Sequence, residues 1–165
     1  MVIIVFGLPG SGKSYFAARL ANRLKARYVN SDQLRLQLLK ERTYSDAEKL
    51  LVYDAMMDAM TDAIVKKETI VLDATFYKEA IRKRFEWKAA TLQETIRYIE
   101  ITAPEEIIAV RLAKPRNFSE ADLAVYQKLK LAFEPMDQKH LVMVSSNEDI
   151  EPSIQQAIEY LNKPT

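Results

Sequence analysis

The chain has 165 residues, 48% of them hydrophobic and 28% charged, with a formal net charge of +1. This length and composition fit one globular domain over 1–165, and the near-neutral charge is not the footprint of a general nucleic-acid or membrane binder. With no cysteine and one histidine, the chain excludes disulfides, thiolate catalysis, cysteine-ligated zinc and histidine-cluster metal sites.

The first half of the chain alternates apolar runs with helical periods. Val2–Phe6 is a continuous apolar run, typical of a strand covered on both faces. An amphipathic helix is predicted over 13–25, then a short strand over 28–30 and a helix to about residue 40 that Ser31 can cap. Ser45 opens a capping box that begins a long helix. The apolar stripe predicted for this helix contains Leu50, Tyr53, Met57, Met60 and Ile64.

The second half continues the alternation. Strands are predicted over 69–72, 95–101 and 141–144. Helices are predicted over 81–92, from Pro104 to near Leu112, from Ser119 to about Phe133 and over 150–161. Residues 114–118 interrupt the pattern and predict a loop. Five strands alternating with helices predict an α/β fold, a three-layer sandwich whose parallel sheet carries helices on both faces. In such sheets, ligands bind outside the carboxyl ends of the strands.

A phosphate-binding loop follows the first predicted strand. Residues 7–14 fit the pattern G-x-x-x-x-G-K-[ST] between an apolar strand and an amphipathic helix, and they contain all three glycines of the chain. Such a loop turns successive N–H groups inward as an anion nest, while its lysine reaches the β and γ phosphates and its serine faces Mg²⁺. The predicted nucleotide-binding residues are Gly7, Leu8, Pro9, Gly10, Ser11, Gly12, Lys13 and Ser14.

A carboxylate ends the third predicted strand. Asp73 matches the acidic group beside Mg²⁺ in P-loop enzymes, so Ser14 and Asp73 are the predicted metal-binding residues. Thr75 is also included among the predicted nucleotide-binding residues: it either contacts phosphate or acceptor, or caps the next helix. Guanine-specific P-loop proteins resemble one another in an N-K-x-D motif, which the single Asn-Lys pair at 162–163 does not complete, so ATP is favoured over GTP.

Charged residues after the second strand and near the predicted loop form a candidate acceptor side. Asp32 and Arg35 lie three apart on the first turn of a helix, where a carboxylate can accept the proton of an attacking hydroxyl and a guanidinium can hold an acceptor or phosphoryl group. The alternative is a surface ion pair. Arg111 ends one predicted helix and Arg116 lies in the loop before the next, both within a predicted lid over about 111–122. This cationic lid can close over the γ-phosphate, or the arginines are solvated helix-end cations.

The chain resembles a group of small bacterial P-loop kinases related to polynucleotide 5′-hydroxyl kinases and zeta-toxin-like phosphotransferases. The resemblance spans most of the chain. It is carried by 7–14, Ser31-Asp32-x-x-Arg35, Tyr44-Ser45 with Val52-Tyr53, 71–76, and Arg111 followed by 119–122. It implies a nucleoside-kinase-like fold with a central P-loop strand and a mobile helical lid, with Asp32 as general base and Arg35 on the acceptor side.

These observations predict a cytoplasmic P-loop kinase that uses ATP and Mg²⁺ to phosphorylate a hydroxyl of a small polar molecule, as a monomer or homodimer. No apolar run approaches the ~20 residues that cross a bilayer, and the N-terminus has no basic leader, so no membrane partner is expected. Two alternatives remain. One is a kinase for nucleic-acid 5′-hydroxyl ends. The other is a nucleotide-binding regulatory ATPase without an acceptor.

Overall fold

Five parallel strands form a single sheet in the computed structural model, which describes residues 1–115 and 121–164. The strands are β1 (Val2–Phe6), β2 (Arg27–Asn30), β3 (Ile70–Asp73), β4 (Ile96–Thr102) and β5 (Leu141–Val144). Their order in the sheet is β2-β3-β1-β4-β5, with β1 at the centre. In the register, Asp73 is level with Val5 on one side and with Asn30 on the other. The carboxyl ends of β1, β2 and β3 therefore meet at one edge of the sheet.

Helices cover both faces of this sheet, as the sequence predicts. They are α1 (Lys13–Leu24), α2 (Ser31–Leu38), α3 (Asp46–Val65), α4 (Glu79–Thr91), α5 (Glu105–Leu112), α6 (Leu123–Ala132) and α7 (Glu151–Leu161). No helix in the described part of the chain is long and apolar enough to span a bilayer.

The central strand supplies both halves of the core, and all five of its side chains are fully buried. Val2, Ile4 and Phe6 belong to the cluster that α3 and α4 cover, whereas Ile3 and Val5 belong to the cluster under α1 and α7. Side chains of a strand alternate between the two faces, and a strand buried on both faces has no polar position. The three-layer architecture therefore explains why β1 is a continuous apolar run.

Two sequence-based details were wrong. Asn30, not Ser31, caps α2: its extended backbone lets the side-chain oxygen accept the Gln33 N–H at 2.9 Å, so Ser31 is already inside the helix. Leu50, predicted in the stripe of α3, is 44% exposed. The buried face of α3 runs instead along Val52, Tyr53, Met56, Met60 and Ala63.

The start of α6 also differs from its predicted position. The helix begins at Leu123, and Asp122 caps it by accepting the Val125 N–H at 2.9 Å. The predicted cap, Ser119, lies outside the described residues. Of the predicted lid, Arg111 and Leu112 belong to the last turn of α5, while 113–115 and 121–122 are not helical.

Candidate functional site

The loop between β1 and α1 folds as a tight turn over the centre of the sheet. A Cβ on Gly7 would lie 2.2 Å from the carbonyl oxygen of Ile101, so only glycine fits where the loop leaves β1. Gly12 is the N-cap of α1 with φ of 92°, and no side chain caps that helix. The N-terminal N–H groups of α1 therefore keep hydrogen-bonding capacity for an anion.

Asp73 is fully buried at the end of β3 and has one occupied and one unoccupied carboxylate oxygen. Oδ2 accepts hydrogen bonds from the Tyr28 hydroxyl at 2.7 Å and from Asn30 Nδ2 at 2.5 Å. Oδ1 has no hydrogen-bond partner among the described residues. A buried polar atom without a partner is costly, which is evidence that a ligand completes this position.

Ser14 lies beside this carboxylate, because Asn30 Nδ2 also donates to Ser14 Oγ at 3.3 Å. Carboxylate and hydroxyl oxygens are the ligands that Mg²⁺ prefers, together with water and phosphate oxygens. Ser14 and Asp73 therefore fit a magnesium ion shared with a bound polyphosphate. The described residues contain no cluster of three or more His, Asp or Glu that could hold a metal on its own.

Asn30 and Tyr28 are functional candidates that the sequence analysis missed. The Asn30 amide orientation is fixed, because its Oδ1 accepts the Gln33 N–H and its Nδ2 must then face Asp73. Burial, and next the charge of Asp73, raise the pKa of the Tyr28 phenol far above its ordinary value, so Tyr28 stays a donor. The signal in the sequence is that both residues are polar and belong to β2, the strand that pairs with β3.

Asp32 and Arg35 lie together as predicted, in a network that includes a second carboxylate. Arg35 Nη1 donates to Asp32 Oδ1 at 3.0 Å, and Arg35 Nε is 3.1 Å from Glu48 Oε1. Arg35 is buried, so this is not the exposed ion pair that spacing alone allowed. The Tyr44 ring forms a cation–π contact with the same guanidinium, and its centroid lies 4.9 Å from Arg35 Cζ.

Glu48 anchors the segment that precedes α3. Its Oε2 accepts hydrogen bonds from the N–H and hydroxyl of Thr43 and from the N–H of Tyr44, while its own N–H donates to Ser45 Oγ at 3.2 Å. Burial favours the neutral acid, but these donors and Arg35 outweigh it and lower the pKa of Glu48. In the sequence, Glu48 is recognisable only as the last residue of the capping box that Ser45 opens.

Two cavities meet at the phosphate-binding loop, and Lys13 and Ser14 line both of them. The acceptor-side cavity has a volume of about 320 Å³, and its wall includes Asp32 and Arg35. The nucleotide-side cavity has a volume of about 590 Å³ and extends over Gly12 toward the segment after β5. Both volumes lie within the range of small-molecule sites.

Thr75 lines the acceptor-side cavity, not the nucleotide-side cavity. Its hydroxyl lies 3.4 Å from that of Tyr53, which in turn accepts the Phe76 N–H at 3.1 Å. Phe76 has a left-handed φ of 42°, a strained conformation that this hydrogen bond helps to hold. Thr75 does not cap α4, because Lys78 is the N-cap of that helix.

Arg111 contacts the phosphate-binding loop from the nucleotide-side cavity. Its Nη1 donates to the Gly10 carbonyl at 3.1 Å and to Ser145 Oγ at 2.8 Å, and its Nη2 donates to the Ser146 carbonyl and to Asn147 Oδ1. The guanidinium therefore joins the end of α5 to the segment after β5. Burial lowers its pKa. Arg116, the other predicted lid cation, lies outside the described residues.

The sheet order and the glycine-lined loop over its central strand define a P-loop nucleotide-binding fold of the kinase type. The chain belongs to the AAA_33 family, described as an AAA domain, which matches residues 2–136. No curated protein matches the sequence.

Solved structures of kinases share the fold at low sequence identity. The APS kinase CysC of Mycobacterium tuberculosis, in complex with AMPPNP and APS, has a TM-score of 0.75 and 18% identity, with 98% of each chain covered. A gluconokinase from Sinorhizobium meliloti has a TM-score of 0.74 and 15% identity, covering 97% of this chain and 90% of that one. A sugar kinase from Janibacter has a TM-score of 0.72 and 16% identity, covering 97% of this chain and 93% of that one.

Proposed function

We propose that this protein transfers the γ-phosphate of Mg·ATP to a hydroxyl of a small polar acceptor. The observation that carries the proposal is the pair of cavities that share Lys13 and Ser14. The nucleotide-side cavity gives a donor nucleotide access to the loop, and the acceptor-side cavity is lined by both Asp32 and Lys13. A phosphotransferase needs these two neighbouring sites because donor and acceptor must meet in line.

On the donor side, the N–H groups of the loop and of the first turn of α1 bind the phosphates, and Lys13 neutralises charge on the β and γ groups. Ser14 and Asp73 hold Mg²⁺, which when bound offsets the negative charge of the polyphosphate. Arg111 fixes the loop through the Gly10 carbonyl and lines the nucleotide-side cavity. The role of Arg116 as a lid cation stays a prediction.

On the acceptor side, Asp32 is the general base. Its carboxylate takes the proton of the acceptor hydroxyl, the hydroxyl oxygen forms a bond to the γ-phosphorus, and the bond from that phosphorus to the bridging oxygen breaks to release ADP. Arg35 positions the base through the 3.0 Å hydrogen bond and is itself held by Glu48. Thr75 lines this cavity and is positioned to contact the acceptor or the transferred group.

The second cavity beside Lys13 supports transfer to an acceptor over the regulatory ATPase alternative, which needs no such space. The polynucleotide 5′-hydroxyl kinase alternative matches the resemblance of the motifs, but the cavity of about 320 Å³ favours an acceptor no larger than a nucleotide. Because the motif resemblance and the cavity volume point in different directions, nucleic-acid 5′ ends are included as competing acceptors in the experiment.

A transfer screen with radiolabelled ATP tests the proposal. Nucleosides, sugars, sugar acids, aminoglycosides and 5′-hydroxyl oligonucleotides serve as acceptors, and ATP loss without acceptor is the baseline. We expect slow baseline hydrolysis and a marked increase with one class of small acceptor. Fast hydrolysis that no acceptor changes would contradict the proposal.

The Asp32→Asn variant tests the assigned base. We expect Mg·ATP binding to persist and transfer to fall by ~10² or more, in line with general-base contributions. Asp54→Asn is the matched control, because Asp54 lies on the exposed side of α3 and pairs with Arg84. Unchanged turnover in Asp32→Asn would remove this residue from the mechanism.

A further inference from the structure

Two lysines line the acceptor-side cavity beyond the proposed catalytic groups. Lys49 is in the first turn of α3, and Lys128 is in the middle of α6. The ammonium of Lys49 lies 3.4 Å from Asp46, whose side chain is 89% exposed. Within the described residues, Lys128 has no ion-pair or hydrogen-bond partner. Exposed pairs such as Lys49–Asp46 contribute little, so both cations are available to a ligand.

Helix α6 presents Lys128 to the cavity as part of a continuous face. Val125, Lys128, Leu129 and Ala132 all line the cavity, and their spacing of three, four and seven residues places them on one side of the helix. The other side of α6 is attached to α5, because Tyr126 is buried against Ile108 and Leu112. The docking of α6 thereby determines which side of the helix faces the acceptor.

The carboxylates near these lysines do not neutralise them. Asp32 and Glu48 both contact Arg35, and Glu48 is also occupied by the main chain at Thr43 and Tyr44. Neither Lys49 nor Lys128 pairs with either carboxylate among the described contacts. In the proposed function, Lys13 serves the donor phosphates. Among the described residues, the only counter-charge of these two lysines is thus the exposed Asp46 beside Lys49.

Building on the proposed function, we propose that the acceptor carries an anionic group, such as a carboxylate, phosphate or sulfate, which Lys49 and Lys128 bind while its hydroxyl lies at Asp32. The apolar side chains of α6 and the ring of Tyr44 then cover the carbon skeleton between the two ends. The acceptor class is a small hydroxylated anion, either a sugar acid or a monophosphorylated sugar or nucleoside. A cavity of about 320 Å³ has room for one such unit.

Calorimetry with matched pairs of ligands tests the anion requirement without needing turnover. The full chain is saturated with Mg²⁺ and a non-hydrolysable ATP analogue, so that the donor phosphates occupy the loop. Each anion is then compared with its neutral counterpart: gluconate with glucitol, glucose 6-phosphate with glucose, and adenosine 3′-phosphate with adenosine. We expect at least one anion to bind tenfold or more tightly than its counterpart, since charge-assisted hydrogen bonds are the strong ones.

Two variants assign the effect to the lysines. Lys49→Gln and Lys128→Gln should each reduce the preference for the anion by about tenfold and leave binding of the ATP analogue unchanged. Lys130→Gln is the control on the same helix, because Lys130 pairs with Glu105 on α5 instead of lining the cavity. Circular dichroism and urea unfolding verify that each variant remains folded.

Every outcome of this experiment decides the proposal. An anion preference that both cavity variants remove and the control retains supports it. No preference in any pair, including no binding at all, overturns it, as does a preference that the Lys49→Gln and Lys128→Gln variants retain. The kinase function is judged separately by acceptor-dependent ATP loss, so neutral sugars that are phosphorylated as fast as acids would refute the anion site and leave the kinase intact.

Discussion

Asn30 connects three parts of the candidate site, and replacing it separates their contributions. Its side-chain oxygen caps α2, the helix that carries Asp32, and its side-chain nitrogen donates to Asp73 and Ser14. The residue is 7% exposed, so water does not readily replace these hydrogen bonds. Asn30→Ala removes both functions, whereas Asn30→Ser retains a cap for the helix and loses the reach to Asp73.

The expected losses follow from the two kinds of hydrogen bond. A lost N-cap costs about 0.5–2 kcal/mol. A lost hydrogen bond to a buried carboxylate costs about 1.5–3 kcal/mol. In metal-free buffer at pH 7, we therefore expect Asn30→Ala to lower the free energy of unfolding by about 2–5 kcal/mol and Asn30→Ser to lower it by about 1.5–3 kcal/mol. The Tyr28 hydroxyl still donates to Asp73, which favours the lower end of both ranges.

Urea denaturation followed by circular dichroism measures these differences. Ser45→Ala is the control for a lost cap alone, because Ser45 caps α3 away from Asp73, and we expect it to lower the free energy of unfolding by about 1 kcal/mol. If Asn30→Ser is as stable as the natural chain and Asn30→Ala merely equals the Ser45→Ala control, the amide does not stabilise Asp73. The assignment of Asn30 to the metal side of the site would then fail.

Three further substitutions test other parts of the structure. Lys13→Ala should abolish phosphoryl transfer and change the free energy of unfolding by less than about 0.5 kcal/mol, since a partly exposed lysine without an ion pair among the described residues stabilises little; full activity in this variant would contradict the phosphate role. The pKa of Glu48 in the folded protein is below its ordinary value of 4.5, so Glu48 adds stability above pH 4.5 that is lost as pH falls through the folded pKa. The urea midpoint of the natural chain should fall over this pH range, and that of Glu48→Gln should lack this fall. Identical pH profiles for the two proteins would refute the network. Gly7→Ala should prevent folding or lower stability severely, because the new Cβ would meet a backbone oxygen at 2.2 Å; a normal thermal melting temperature would show that the loop can rearrange.

The sequence predicted most of the fold because the relevant signals are local. The apolar run of β1, the glycine spacing of the loop and the helical periods each lie within a short window, and their alternation implies the parallel sheet. The errors also have local causes. Asn30 and Ser31 are adjacent cap formers, and the structure selects Asn30 because it can cap α2 and reach Asp73 together. Leu50 fits a helical stripe, but the sheet lies under a different face of α3.

The site was only partly predictable because several of its contacts join distant residues. Asp73 is predicted from its position at a strand end, whereas its donors Tyr28 and Asn30 precede it by more than 40 residues. The pairing of β2 with β3 brings them together, and no spacing in the sequence encodes that pairing. Lys128 likewise joins the acceptor side only through the docking of α6, which depends on tertiary packing.

The distribution of burial has a consequence for how relatives of this protein can diverge. The phosphate-binding loop follows a strand whose five side chains are completely buried, whereas α6 contributes one buried residue, Tyr126. Substitutions on the cavity side of α6 therefore leave the packed interior nearly intact. Substitutions at a few cavity-facing positions of α6 can therefore change which molecule this cavity fits, while the phosphate-binding loop stays under the constraint of the whole core.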